Sequence, residues 1–242
     1  MSHNTKLVFA AFTFIVCSLS AGSSSKADTV VYTNNFSSSM TAPGVTATLT
    51  GGHQQTAPNG EVFREFGSND LSNVTLTISG LQANSMTTLN FNFYGIQTLD
   101  GNDTAFGPDI FNLSANGATL LNTTFSNVAG HNQAYPGTFP SGNFAPRTGA
   151  IANNTLGYGG FGDSTYFLTF STMTNASGSI VFTFSGTGLQ SSGDESFGID
   201  NLVVSGAVSG QGTVPEPNTM LLLGTGLAGI GAAIRRQRNK SA

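Results

Sequence analysis

The sequence predicts an all-β protein: a jelly-roll β-sandwich ectodomain followed by a C-terminal transmembrane helix. Three observations carry that expectation. Short runs along the middle of the chain repeat an apolar alternation with a period of two. The composition is rich in Gly, Ser, Thr and Asn, with 19 Phe and no Trp, which favours strands and turns over helices. An uncharged stretch near the end stops abruptly at a cluster of basic residues.

At the start, Lys6 opens a positive region, residues 7–16 supply an apolar core, and Ser25-Lys26-Ala27 offers a small-x-small cleavage site before Asp28. Residues 1–27 therefore read as a secretory signal peptide. The single cysteine, Cys17, follows Val16 where a lipoprotein signal wants a small residue. It leaves with the signal, so a mature domain has no disulfide to rely on.

Residues 28–205 form the expected ectodomain, long enough for one sizeable core. Alternation runs through 30–36, 45–50, 61–66, 74–78, 88–94, 110–114, 119–125, 165–170, 180–184 and 199–204, about ten strands. In Leu89-Asn90-Phe91-Asn92-Phe93 the large residues share one face, as they do where one side of a sheet packs on another. Asn116-Gly117 between two such runs marks a tight hairpin. From 126 to 164 the alternation fails, and Tyr135, Phe139, Phe144, Tyr158 and Phe161 stand among Gly, Pro and Asn. Two readings stay open for these rings: a surface that stacks on sugar or a partner, or a cover over an open sheet edge.

Residues 206–217 read as a flexible linker ending in Val214, Pro215, Glu216 and Pro217. Residues 218–234 carry no charge, and at roughly 1.5 Å per residue they make a helix just short of a hydrocarbon core of about 30 Å. Arg235, Arg236 and Arg238 lie in the closing segment, 235–242, with Lys240. The positive-inside rule keeps that end in the cytoplasm, so the predicted helix contacts the membrane with its N-terminus outward.

Six of the eight Lys and Arg residues sit in the two terminal segments. Between Asp28 and Thr213 only Arg64 and Arg147 are basic, against eleven acidic residues, a net of minus nine. Such a body repels phosphate backbones, which argues against nucleic acid as a partner and in favour of cations and neutral polymers.

The order Val-Pro-Glu-Pro, apolar helix, basic cluster resembles the PEP-CTERM signal of bacterial exported proteins. That resemblance implies export to the cell envelope or extracellular matrix, membrane anchoring before processing, and recognition by an integral-membrane enzyme of the exosortase type. Residues 100–127 and 194–204 also resemble a recurring ectodomain of PEP-CTERM proteins. The second segment, with Ile199-Asp200-Asn201, is similar to the closing strand of jelly-roll carbohydrate-binding modules. There such a step often supplies a structural calcium ligand, which implies that role for Asp200.

Calcium also suits the residues themselves, because it takes six to eight oxygen ligands from irregular loops. Asp100, Asn102, Asp103 and Asp109 crowd one loop, and Asp194, Glu195 and Asp200 form a second oxygen-rich group. The plain alternatives are acidic turn residues in the first group and a hydrogen-bonded aspartate at position 200. Catalytic signatures are sparse: His53 and His131 are the only histidines beyond the signal peptide, no HExxH or GxSxG occurs, and the Gly-x-Gly-x-x-Gly strings at 157–162 and 224–229 lack the strand-to-helix context. The expectation is a non-catalytic surface or matrix protein that adheres to or binds polysaccharide in a biofilm setting. A polysaccharide-degrading enzyme using Glu61/Glu65 or Asp194/Glu195, and a matrix filler without a ligand, are the alternatives.

Overall fold

A computed structural model describes residues 28–210, 222–230 and Arg236. The expected signal peptide, the Val214-Pro215-Glu216-Pro217 hinge, Arg235 and Arg238 lie outside the described residues. Thirteen strands follow one another among the described ones: β1 (Thr29–Asn34), β2 (Ser39–Thr41), β3 (Thr46–Thr50), β4 (His53–Thr56), β5 (Val62–Phe66), β6 (Val74–Ser79), β7 (Met86–Gln97), β8 (Ile110–Ala115), β9 (Ala118–Thr124), β10 (Ala152–Asn153), β11 (Asp163–Met173), β12 (Ile180–Thr187) and β13 (Glu195–Gly206).

They form two antiparallel sheets. One has eight strands, with the path β10-β11-β7-β13-β1-β2 and β5 also pairing with β13 while carrying β4 on its free edge. The other has five, in the order β3-β6-β12-β8-β9. Every second residue of β7, β12 and β8 points between the sheets, and there the phenylalanines interlock. Phe91 meets Phe184 edge-on at 5.2 Å, and Phe93 contacts Phe111 at 4.7 Å and Phe125 at 4.3 Å. Ring pairs of this kind add about 0.5–1.5 kcal/mol each beyond the area they bury, so the phenylalanine-rich composition is spent on joining the sheets. A smaller cluster of Ala57, Phe63, Tyr94, Ile96 and Leu156 packs on the opposite, outward face of the eight-stranded sheet.

The predicted hairpin is present: Asn116 and Gly117 join β8 to β9 with φ of 49° and 82°, both in the left-handed region that a type I′ turn needs. β13 departs from expectation, since it begins at Glu195 and not at 199. Residues 195–200 are buried on both faces, so the period-two signal vanishes there. A bulge between Asp200 and Val203, with Asn201 at φ 51°, then restores the alternation. Short strands β2, β4 and β10 also escaped the pattern, being edge pieces of two to four residues.

Residues 222–230 are helical, with Leu222, Leu223, Leu227 and Ile230 all exposed. Among the described residues no helix is long and apolar enough to cross a membrane, and the flanks of the predicted 218–234 span lie largely outside them.

Candidate metal centre

β7 ends at Gln97, and the chain turns through Leu99, whose buried side chain anchors the turn. Asp100 follows directly. Nine residues later, Asp109 stands immediately before β8, with its amide donating to the Gly101 carbonyl at 3.0 Å to close the loop. Glu195 is the first residue of β13. The fold thus draws one carboxylate from each of three places: the end of a strand of the larger sheet, the entry to a strand of the smaller sheet, and the start of the strand that leaves the body.

The three groups converge. Asp100, Asp109 and Glu195 each offer a carboxylate oxygen within 4.8 Å of the others. Asp109 and Glu195 are sealed from solvent at 0% exposure, and Asp100 stands at the edge at 7%. One oxygen of each inner carboxylate is held by the backbone: Asp109 Oδ2 accepts from the Asp100 amide, and Glu195 Oε1 accepts from the Gln190 amide at 2.6 Å. The other oxygens, Asp109 Oδ1 and Glu195 Oε2, are buried without a hydrogen-bond partner. Asp100 Oδ1 faces His131 Nδ1 at 2.8 Å at the rim.

Positive charge is scarce nearby. Among the described residues the ion pairs are those of His131 with Asp100 and, at 4.0 Å, with Asp103. Arg64 donates to the Gly51 carbonyl and Arg147 to that of Phe161. Burial, and then the field of the neighbouring carboxylates, pushes the Asp109 and Glu195 carboxyls up from their usual range. Burial also raises Asp100, against the lowering pull of His131.

Close backbone approach shapes the surroundings. Gly188 has φ +96°, and a Cβ there would lie 2.0 Å from the Pro108 carbonyl oxygen, so only glycine lets the 188–194 segment pass against Asp109's neighbour. At Gly107 a Cβ would reach within 3.1 Å of Asp109 Oδ1, so its absence leaves the unpartnered oxygen uncrowded.

The remaining sequence candidates fall outside this triad. Asn102 is spent on Gly142 and Thr124, at 2.9 and 2.5 Å. Asp103 Oδ1 accepts from the Ala105 and Phe106 amides, the behaviour of a turn residue. Asp194 is exposed and accepts from Thr98 Oγ1 at 2.9 Å. Asp200 lies on the opposite face of β13 from Glu195, an odd number of residues away. Phe197, on the Glu195 face, meets Phe66, Phe93 and Phe111, whereas a Cβ at Gly198 would meet Phe63 and Tyr94 of the outer cluster. Asp200 accepts from Tyr94 Oη at 3.3 Å and Asn201 Nδ2 at 3.0 Å, and cannot share one ion with Glu195. His131 was missed as a neighbour of the acids, because 31 residues separate it from Asp100 and no local spacing links them.

The five aromatic candidates of residues 126–164 also separate. Tyr135 stacks on Phe125 at 4.9 Å and meets Tyr166 edge-on at 5.3 Å, in the cover over the core. Tyr158 packs on the outer cluster. Phe139 is half-buried, pinned through its backbone to Asn122. Phe144 and Phe161 are exposed.

Beyond the body, residues 213–237 match the family description "PEP-CTERM protein-sorting motif". The chain carries a PEP-CTERM sorting motif. Val214, Pro215, Glu216, Pro217, Arg235 and Arg236 fall inside the match, and Arg238 lies one position past it. PEP-CTERM motifs are exosortase substrates, so the chain is an exported, envelope-associated protein with an exosortase as its processing partner.

No curated protein sequence matches the chain. Solved structures similar to it include the enzymatically active domain of tailspike protein 4 from bacteriophage CBA120 (10% identity, TM-score 0.30, covering 67% of this chain and 19% of that one). The K3 cleaved adhesin domain of Lys-gingipain from Porphyromonas gingivalis is also similar (8%, TM-score 0.32, 68% and 93%). So is the catalytic domain of a GH87 alpha-1,3-glucanase in complex with tetrasaccharides (12%, TM-score 0.29, 80% and 30%). The chain therefore spans about a fifth of the tailspike chain and under a third of the glucanase chain.

Proposed function

We propose that this is a non-catalytic surface protein that adheres to neutral polysaccharide, held in the membrane by the helix of residues 218–234 until an exosortase-type enzyme processes the tail. The observation that carries the reading is the sorting motif behind a strand-rich body. Its binding half draws support from the outward face of the larger sheet. Phe167, 55% exposed, stands there beside its register partner Asn92, and the next rungs along are Thr169–Asn90 and Ser171–Thr88. An open ring next to a row of amides and hydroxyls offers an apolar surface to the C–H face of a sugar and hydrogen bonds to its hydroxyl groups. Phe144 and Phe161 add exposed rings from residues 126–164.

A glycan array probed with the mature protein tests this reading, with Phe167→Ala as the control. Binding to neutral glycans that the variant loses is expected, and no binding to any glycan overturns it. A polysaccharide-degrading alternative would draw on the paired acids Glu61/Glu65 or Asp194/Glu195. Release of reducing sugar by the mature protein would establish that alternative instead.

A further inference from the structure

We propose that Asp100, Asp109 and Glu195 hold a single calcium ion that fastens the two sheets together at one end of the sandwich. The inference stands on the burial and convergence of these side chains and is independent of the polysaccharide reading.

Three carboxylates within 4.8 Å of one another, two of them sealed from water and the third largely buried, are not a resting arrangement for three negative charges. Something positive must join them, or protons must neutralise them. The second observation is the pair of orphaned oxygens. Asp109 Oδ1 and Glu195 Oε2 are buried in fully enclosed side chains and accept from no amide or hydroxyl donor, the two carboxyls facing each other within hydrogen-bond reach, while the other oxygen of each group is fixed by a backbone amide. A structural carboxylate is ordinarily satisfied on both oxygens by hydrogen-bond donors. Here the backbone orients each group and leaves one lone-pair face of each free.

Donor chemistry selects the ion. The set is oxygen only, with no thiolate, and the one histidine nearby has its Nδ1 turned to Asp100. Hard oxygen donors suit calcium or magnesium. Oxygens on opposite sides of an ion stand at twice the bond length, about 4.6–5.2 Å for calcium and about 4.0–4.2 Å for magnesium. All three oxygens lie within 4.8 Å of one another, close enough to bind one ion together. Magnesium retains several of its waters and is usually held by one or two carboxylates, so three converging carboxylates favour calcium.

The mechanical sense follows from where the ligands sit. Asp109 directly precedes β8 of the five-stranded sheet, while Asp100 follows β7 and Glu195 opens β13 of the eight-stranded one. A chain without disulfides gains at this point the cross-link that its sequence does not supply by cysteine.

The test is thermal unfolding of the full chain, stripped with chelator and then titrated with calcium chloride, with magnesium chloride at equal ionic strength as control. At calcium a hundredfold above Kd, a rise in Tm of roughly 5 to 10 °C is expected. Magnesium should give a much smaller rise. Asp109→Asn and Glu195→Gln should abolish the calcium shift, and Asp200→Asn should retain it. No calcium shift in the parent chain, as a proton shared between Asp109 and Glu195 would give, overturns the proposal, as does a full shift that survives both triad substitutions. Should either variant fail to fold, equilibrium dialysis of the parent chain with radioactive calcium decides: one ion per chain supports the site, and none overturns it.

Discussion

Asp109 and Glu195 meet at one end of the sandwich with matched environments: each gives one oxygen to a backbone amide and keeps the other buried and unpartnered. Without a cation, that geometry costs stability. Neutralising one member should therefore help the chelated protein. Asp109→Asn or Glu195→Gln is expected to raise the unfolding free energy in chelator by about 1–3 kcal/mol, measured by urea denaturation. A loss of stability in chelator would mean that the ionised pair is already compensated.

Asp200 gives a pH signature on the other face of β13. Its carboxyl rises from 3.8 to about 7 in the folded protein, first through burial. The folded state therefore holds a proton that the unfolded chain releases near pH 4, and stability falls as pH climbs from about 4 to 7 before levelling off. Asp200→Asn should flatten the slope by up to about 1.4 kcal/mol per pH unit across that window. Denaturation series at several pH values, run on both proteins, check it; parallel slopes would refute the assignment.

Gly188→Ala should be costly. The left-handed φ of +96° alone penalises a side chain by about 1–2 kcal/mol, and the 2.0 Å approach to the Pro108 carbonyl forces the backbone apart as well. A loss above about 2 kcal/mol is expected by chemical denaturation. The same change at Gly117, where nothing lies within 4 Å, should cost no more than the φ penalty.

Two phenylalanines should divide stability from recognition. Phe93 contacts Phe111, Phe125, Tyr166 and Phe197, so Phe93→Ala is expected to cost about 3–5 kcal/mol. Phe167 is 55% exposed, so Phe167→Ala should stay within about 0.5 kcal/mol of the parent while losing glycan binding. Thermal unfolding and array binding of both variants check the contrast.

Legibility from the sequence followed burial on a single face. Leu89, Phe91 and Phe93 alternate with half-buried asparagines, and Asn116-Gly117 has the one chemistry that a two-residue turn prefers, so both were readable. Glu195 to Asp200 is buried on both faces and carried no period, which hid the first half of β13. The acids of the triad were each visible as oxygen donors. Their convergence was not, because it depends on β8 and β13 belonging to facing sheets, a long-range fact with no local trace. The odd spacing from Glu195 to Asp200 does separate those two residues, but only once both are known to lie in one strand. His131 joined the acids through a loop whose path no periodicity records.

Thr29 pairs with Gly206, so the first strand of the body and the last lie antiparallel and adjacent. The entry and exit of the fold therefore emerge side by side. β13, which leads out toward the tail, is laced to β7 from Glu195 to Gly206 on one flank and to β5 and β1 on the other. A load drawn along that strand by a tether must shear two ladders at once, where the same load on an edge strand would unzip a single ladder bond by bond. A pull applied at the end of β13 would thus meet the segment of the fold that is best placed to resist traction.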